Sequence, residues 1–176
     1  GWVVEPGAQW APSAAGTPVE VPGLLLRGSF DLVTALEQFL PTDCTAMLEA
    51  AGGPAPAGCL VLGDPGRVGV AGASIEPGVV FDVRPGPVIV EPGAQVLSGT
   101  RIEGPCYVAA GARILGGLVR GSVLGPRVVV RGEVSTSVFL GYANKAHDGF
   151  VGHSYLGHWV NLGAGTIDHV VNGVGD

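Results

Sequence analysis

The stretch "VEPGAQVLSGTRIEGPCYVAAGARILGGL", Val90 to Leu118, repeats every six residues. Branched aliphatics stand at Val90, Val96, Ile102, Val108 and Ile114. Three places after each comes Gly93, Gly99, Pro105, Gly111 or Gly117, and four places after comes Ala94, Thr100, Cys106, Ala112 or Leu118. A helix would return its apolar face every ~3.6 residues and a plain strand every ~2. A period of six with a turn-former in each unit describes a short strand plus a corner. Stacked coil on coil, such units make a parallel β-helix, with the aliphatic and the small residue turned inward.

Working outward, a second run holds Val128, Val134 and Leu140. A third holds Phe150, Leu156 and Leu162, with Ser154, Val160 and Thr166 behind them, and Ile75 and Phe81 make an earlier, weaker start. The step from Leu140 to Phe150 is ten, so four extra residues fall within "GYANKAHDG", Gly141 to Gly149. Insertions in a solenoid bulge at corners, where they disturb no stacked position. The reading therefore places Lys145, His147 and Asp148 on a projecting loop. It places smaller insertions between Phe81 and Val90 and between Ile114 and Val128.

Before the repeat, "GSFDLVTALEQFL" sets Leu32, Leu36 and Leu40 at helical spacing behind Ser29 or Asp31 as caps, with Pro41 ending the helix. "TDCTAMLEAAGG" reads as a second short helix closed by Gly52, and "GGPAPAG", Gly52 to Gly58, as a linker. Residues 1–67 are thus expected to form a small, partly helical appendage that packs on or caps the first coil, anchored by Trp2 and Trp10, and residues 68–176 the β-helix domain. After Thr166 the pattern is expected to fail, because Asp168 stands where an aliphatic is due.

Composition narrows the function. A net charge of -6 opposes binding to a phosphate backbone, which needs clustered Lys and Arg, so no nucleic-acid partner is expected. Cys44, Cys59 and Cys106 are scattered and odd in number, which reads as reduced thiols in a cytoplasmic protein. No apolar run is long enough to span a membrane, and no export leader is read.

The only lysine, Lys145, and all four histidines, His147, His153, His158 and His169, lie at or just after Gly141 to Thr166. Neutral imidazole accepts protons well near pH 7, and His153 falls at the turn position of its unit, where its side chain faces out. It reads equally as a wall-lining base or as a surface or intersubunit histidine. Lys145 and His147 on a loop would clamp an anion, or simply be solvated. His153 and His158 are five apart, as two zinc ligands can be, but a catalytic zinc needs a third, and only His147 offers itself. No metal is expected.

The string "GEVSTSVFLGYANKAHDGFVGHSYLGHWVNLGAGT", Gly132 to Thr166, resembles the left-handed β-helix, hexapeptide-repeat acyltransferases. It is most similar to their branch of putative sugar-phosphate nucleotidyltransferases related to UDP-N-acetylglucosamine pyrophosphorylase. The resemblance implies an all-β, single-stranded left-handed parallel β-helix, assembled as a homotrimer with sites between subunits. It implies acetyl-CoA as co-substrate and an amino-sugar phosphate as acceptor. His153 in "GHSYLG" matches the family's catalytic base and Tyr155 its sugar-phosphate-binding tyrosine. Asn161 and Ala164 in "VNLGAGT" match a substrate-binding asparagine and an alanine facing the coenzyme. Residues 1–67 are too short for a nucleotidyltransferase domain, so acyl transfer is the implied chemistry. The alternative is a non-catalytic trimeric scaffold or a sugar-phosphate or nucleotide-sugar binding module.

Overall fold

A computed structural model describes residues 23–70 and 72–169. Trp2, Trp10 and the chain beyond His169 lie outside these residues.

The strands pair only in parallel and stack in three columns, which are the three faces of a β-helix. The first face carries Leu60–Leu62, Val80–Asp82, Thr100–Glu103, the second halves of Arg113–Arg120 and Val129–Ser135, then Phe150–Gly152 and Ile167–His169. The second carries Val68–Gly69, Val88–Val90, Cys106–Val108, Val123–Leu124, Val138–Phe139 and Tyr155–Leu156. The third carries Ser74–Ile75, Gln95–Val96, the first halves of the two long strands, and Asn144–Lys145. Pairing thus begins at Leu60, before the expected boundary at residue 68, and continues through Ile167–His169, past the point where the repeat was expected to fail.

The predicted inward positions of the central run hold. Val90, Val96, Ile102, Val108, Ile114, Ala94, Cys106 and Ala112 are all fully buried. From Ile114 onward the six-residue reading slips, because the sides joining the first face to the second shorten to five: Val119 to Leu124, Val134 to Phe139 and Val151 to Leu156. Consequently Phe139 is buried where Leu140 was expected and Val151 where Phe150 was; the step from Ile114 on the third face to Val119 on the first is also five, so Leu118 turns outward while Val119 fills the core. Neither the Ile114–Val128 interval nor the Leu140–Phe150 interval holds an insertion. The third face's inward column runs Ile75, Val96, Ile114, Val130, Lys145 in register, so Lys145 is a core position and not part of a projecting loop.

One helix, α1 (Phe30–Ala51), replaces the two that were expected, and Pro41 lies inside it. Its apolar stripe, Val33, Leu36, Leu40 and Cys44, packs on the outward column of the second face, among it Ile89, Tyr107, Val123, Val138 and Tyr155. That area removed from water stabilises the pair by about 1.5–3 kcal/mol for each fully buried large side chain. This packing holds the helix although Pro41 removes one of its backbone donors. Where the C-terminal end of α1 comes closest, the face offers Gly69, at which a Cβ would stand 2.7 Å from that of Ala51.

Candidate functional site

The shortened sides create the corner that carries His153. Successive coils place Gly121, Thr136 and His153 there, all with positive φ (54, 46 and 49°). The left-handed conformation costs a non-glycine residue about 1–2 kcal/mol, so the surrounding bonds must fix it. A serine follows each: Ser122, Ser137 and Ser154, all buried. Ser122 Oγ donates to Arg120 O (2.7 Å), Ser137 Oγ to Ser135 O (2.7 Å) and Ser154 Oγ to Gly152 O (2.8 Å). The Ser137 N–H then donates to Ser122 Oγ (3.0 Å) and the Ser154 N–H to Ser137 Oγ (3.1 Å). This ladder ties corner to corner along the prism. His153 is itself pinned by its N–H, which donates to Ser135 O at 3.0 Å, while its ring is exposed.

Two residues that the sequence reading passed over border this corner. Ser135 is buried, and its Oγ accepts from Arg120 Nε at 3.0 Å; the Arg120 guanidinium also meets Glu133 at 3.1 Å. Arg120 and the His153 backbone thus both bond Ser135, the first at its hydroxyl and the second at its carbonyl, and the Arg120 side chain is half-exposed. The signal was present in the repeated dipeptides "GS", "TS" and "HS", each opening a five-residue side, but an assumed period of six conceals them.

Lys145 has a different place. It is 2% exposed, and its ammonium donates to Arg131 O (2.6 Å), His147 O (3.1 Å) and Gly149 O (3.1 Å). Burial pushes its pKa below the usual lysine value, and Asp148 works in the opposite sense. With all three N–H groups engaged inside the wall, Lys145 holds the corner from Ala146 to Gly149 and does not face solvent as an anion clamp.

The residues clustered in sequence are spread in space. His147 is exposed on the corner between the third and first faces, next to Asp148, which bonds Arg131 at 3.1 Å. His153 is on the corner between first and second, and His158 on the corner between second and third. Tyr155 is half-buried in the column under α1. Asn161 is exposed on the third face, bridged to Asn144, and Ala164 is exposed in the following turn, where Gly165 N donates to Asp148 O at 3.1 Å. His147, Asn161 and Ala164 thus share one side of the prism, whereas His153 and Tyr155 belong to another. Among the described residues no three His, Cys, Asp or Glu side chains come together as a metal site, and no helix is long and apolar enough to cross a membrane.

Comparison with known proteins gives two similar chains. Bifunctional protein GlmU of Jannaschia sp. (strain CCS1) is 36% identical over 107 residues, 58% of this chain and 22% of the relative. Bifunctional protein GlmU of Paracoccus denitrificans (strain Pd 1222) is 38% identical over 91 residues, 49% and 20% respectively. The match thus spans about a fifth of the length of either relative. No family model and no solved structure matches the chain. The six-residue repeat and the parallel stacking describe a hexapeptide β-helix, and its sequence is distantly similar to bifunctional GlmU proteins.

Proposed function

We propose that the chain carries the acyl-transfer half-site of a sugar-phosphate acetyltransferase, with His153 as general base. The observation that carries this reading is an exposed imidazole on a corner whose backbone is fixed, the His153 main-chain N–H donating to Ser135 O and the Arg120 side chain bonding the hydroxyl of the same serine. An amino-sugar phosphate would set its phosphate toward Arg120, since the Lys145 ammonium is buried on three carbonyls. The amine nitrogen attacks the thioester carbonyl of acetyl-CoA, the C–N bond forms and the C–S bond breaks. His153 accepts the proton the nitrogen releases, and that proton returns to the departing thiolate. A positioned base of this kind contributes roughly 10²–10⁴-fold in rate.

The dispersal of His147, Asn161 and Ala164 away from His153 supports a site assembled between copies, in which the third face of one protomer meets the His153 corner of its neighbour. A homotrimer satisfies this. A second reading, a non-catalytic β-helix that binds a sugar phosphate as scaffold or regulator, is favoured by the burial of Lys145 and the half-burial of Tyr155. Calorimetric titration with glucosamine-1-phosphate and with acetyl-CoA, alongside the mass in solution, separates the two. Binding of both by a trimer supports transfer, sugar phosphate alone supports the binding module, and neither contradicts both readings of the site.

A further inference from the structure

The corner between the second and third faces has no role in transfer, yet it is built unlike a plain turn. Its column runs Gly72, Gly93, Gly111, Arg127, Tyr142, Trp159, one residue per coil, with φ of 71, 77, 70, 56, 54 and 65°. Glycine is the unstrained choice at such angles, and the first three coils use it. The next three give it up for large side chains, so the turn does not account for them and the side chains must.

Those side chains form a platform. The Tyr142 and Trp159 rings stack at 4.7 Å between centroids and 24° between planes, and the His158 ring stands 6.1 Å from Tyr142. Gly141 leaves the space for it, since a Cβ there would lie 3.3 Å from the His158 ring. The stack is not a buried one, with Tyr142 42% and Trp159 75% exposed. Two residues beyond each ring an exposed asparagine stands on the third face, Asn144 and Asn161, bridged in parallel register. The two coils thus repeat one unit, "YAN" and "WVN": a ring at the corner, an aliphatic turned inward, and an amide on the flat face.

We propose that this ladder is a carbohydrate-binding surface that takes a neutral pyranose unit, its C–H face on Trp159 and its hydroxyls on the Asn161 and Asn144 amides. An aromatic face supplies flat apolar contact. An amide offers both a donor and an acceptor, which matches a hydroxyl on either side. A nucleotide fits less well: the two rings already close on each other and leave no slot between them, and the cation of the column, Arg127, lies beyond Tyr142 from Trp159. The site stands on a different corner from His153 and does not rest on the transfer reading, with which it shares Asn161 and the third face that the reading sets against a neighbouring copy.

The test uses the full chain carrying Trp2→Phe and Trp10→Phe, which leaves Trp159 as its sole tryptophan. Its fluorescence is titrated with N-acetylated chitotriose, with maltotriose and with uridine monophosphate. A saturable change with one of the sugars is expected, and Asn161→Ala or Tyr142→Ala should weaken it by about three- to tenfold. Trp159→Gly restores the residue the turn prefers, so that variant should unfold no earlier than the parent yet bind the same sugar at least tenfold more weakly by calorimetry. No saturable response to either sugar, a response to uridine monophosphate alone, or unweakened binding by Trp159→Gly would overturn the proposal. Failure here leaves the transfer reading standing, because the titration contains neither sugar phosphate nor coenzyme.

Discussion

Replacing Lys145 with methionine tests whether one buried ammonium holds the corner from Ala146 to Gly149. Methionine keeps most of the volume, so the inward column Val130, Lys145, Leu162 stays filled and the charge is what changes. The wild-type ammonium makes bonds of 2.6, 3.1 and 3.1 Å to the carbonyls of Arg131, His147 and Gly149. At about 1.5–3 kcal/mol for a hydrogen bond to a charged group, the three are worth about 5–9 kcal/mol before costs. Against them stands the desolvation of an ammonium that is 2% exposed, which is several kcal/mol and is relieved in the variant. Two of the carbonyls belong to the exposed His147 and half-buried Gly149, so water recovers part of what they lose. The balance is a destabilisation of about 2–4 kcal/mol, or about 5–15 °C in midpoint for a chain of this size. Thermal unfolding followed by circular dichroism reads it, with amide exchange at Asp148 and Gly149 reporting the corner itself. A methionine variant that unfolds at or above the parent midpoint would refute the reasoning, since desolvation would then outweigh the bonds.

Three further outcomes follow from the same structure. Asp82 is held at about 2, below its usual 3.8, chiefly by hydrogen bonds from Arg84, with Arg101 adding a second ion pair at 2.6 Å. A carboxylate with a depressed folded pKa contributes stability above its unfolded value and loses it as pH falls through the folded one; Asp82→Asn should therefore flatten the acid loss of stability between about pH 4 and pH 2, measured by urea midpoints across that range. Ser137→Ala leaves the buried Ser154 N–H without the hydroxyl that accepts from it at 3.1 Å, and should cost about 1–3 kcal/mol in chemical denaturation while Ser29→Ala, at a helix start without a side-chain cap bond, changes stability little. Gly69→Ala drives a methyl into Ala51 at 2.7 Å, so it should destabilise by about 1–3 kcal/mol and raise proteolysis within α1 first; unchanged cleavage there would mean the helix end does not bear on the face.

What was legible in the sequence was the part governed by period. Between Val90 and Ile114 each side has six residues and each corner a glycine or proline, so the inward column can be read directly, and it is buried throughout. The later coils were misread for one physical reason. A corner of two residues in which the first is left-handed and the second is an inward serine shortens the side to five, and Thr136 and His153 occupy that first position without the glycine that advertises it. The slip moved Phe139 and Val151 off the core and made a ten-residue interval look like a loop, which carried Lys145 outward with it. Lysine in a core column has no signature in a hydrophobic pattern; only the carbonyls of three corner residues explain it. Pro41 was read as a stop because local propensity alone ends a helix there, whereas Leu40 and Cys44 on either side continue the stripe that the second face covers. The histidines cluster along the chain for a simpler reason: one coil visits three corners within a few residues, so neighbours in sequence are far apart around the prism.

The decisive measurement is release of coenzyme A thiol from acetyl-CoA in the presence of glucosamine-1-phosphate, comparing the parent chain with His153→Asn. The account predicts turnover by an assembled trimer and a loss of at least about 100-fold in the variant, with the unfolding midpoint preserved because asparagine tolerates the left-handed corner. A well-folded trimer without turnover, or a variant as active as its parent, would contradict it.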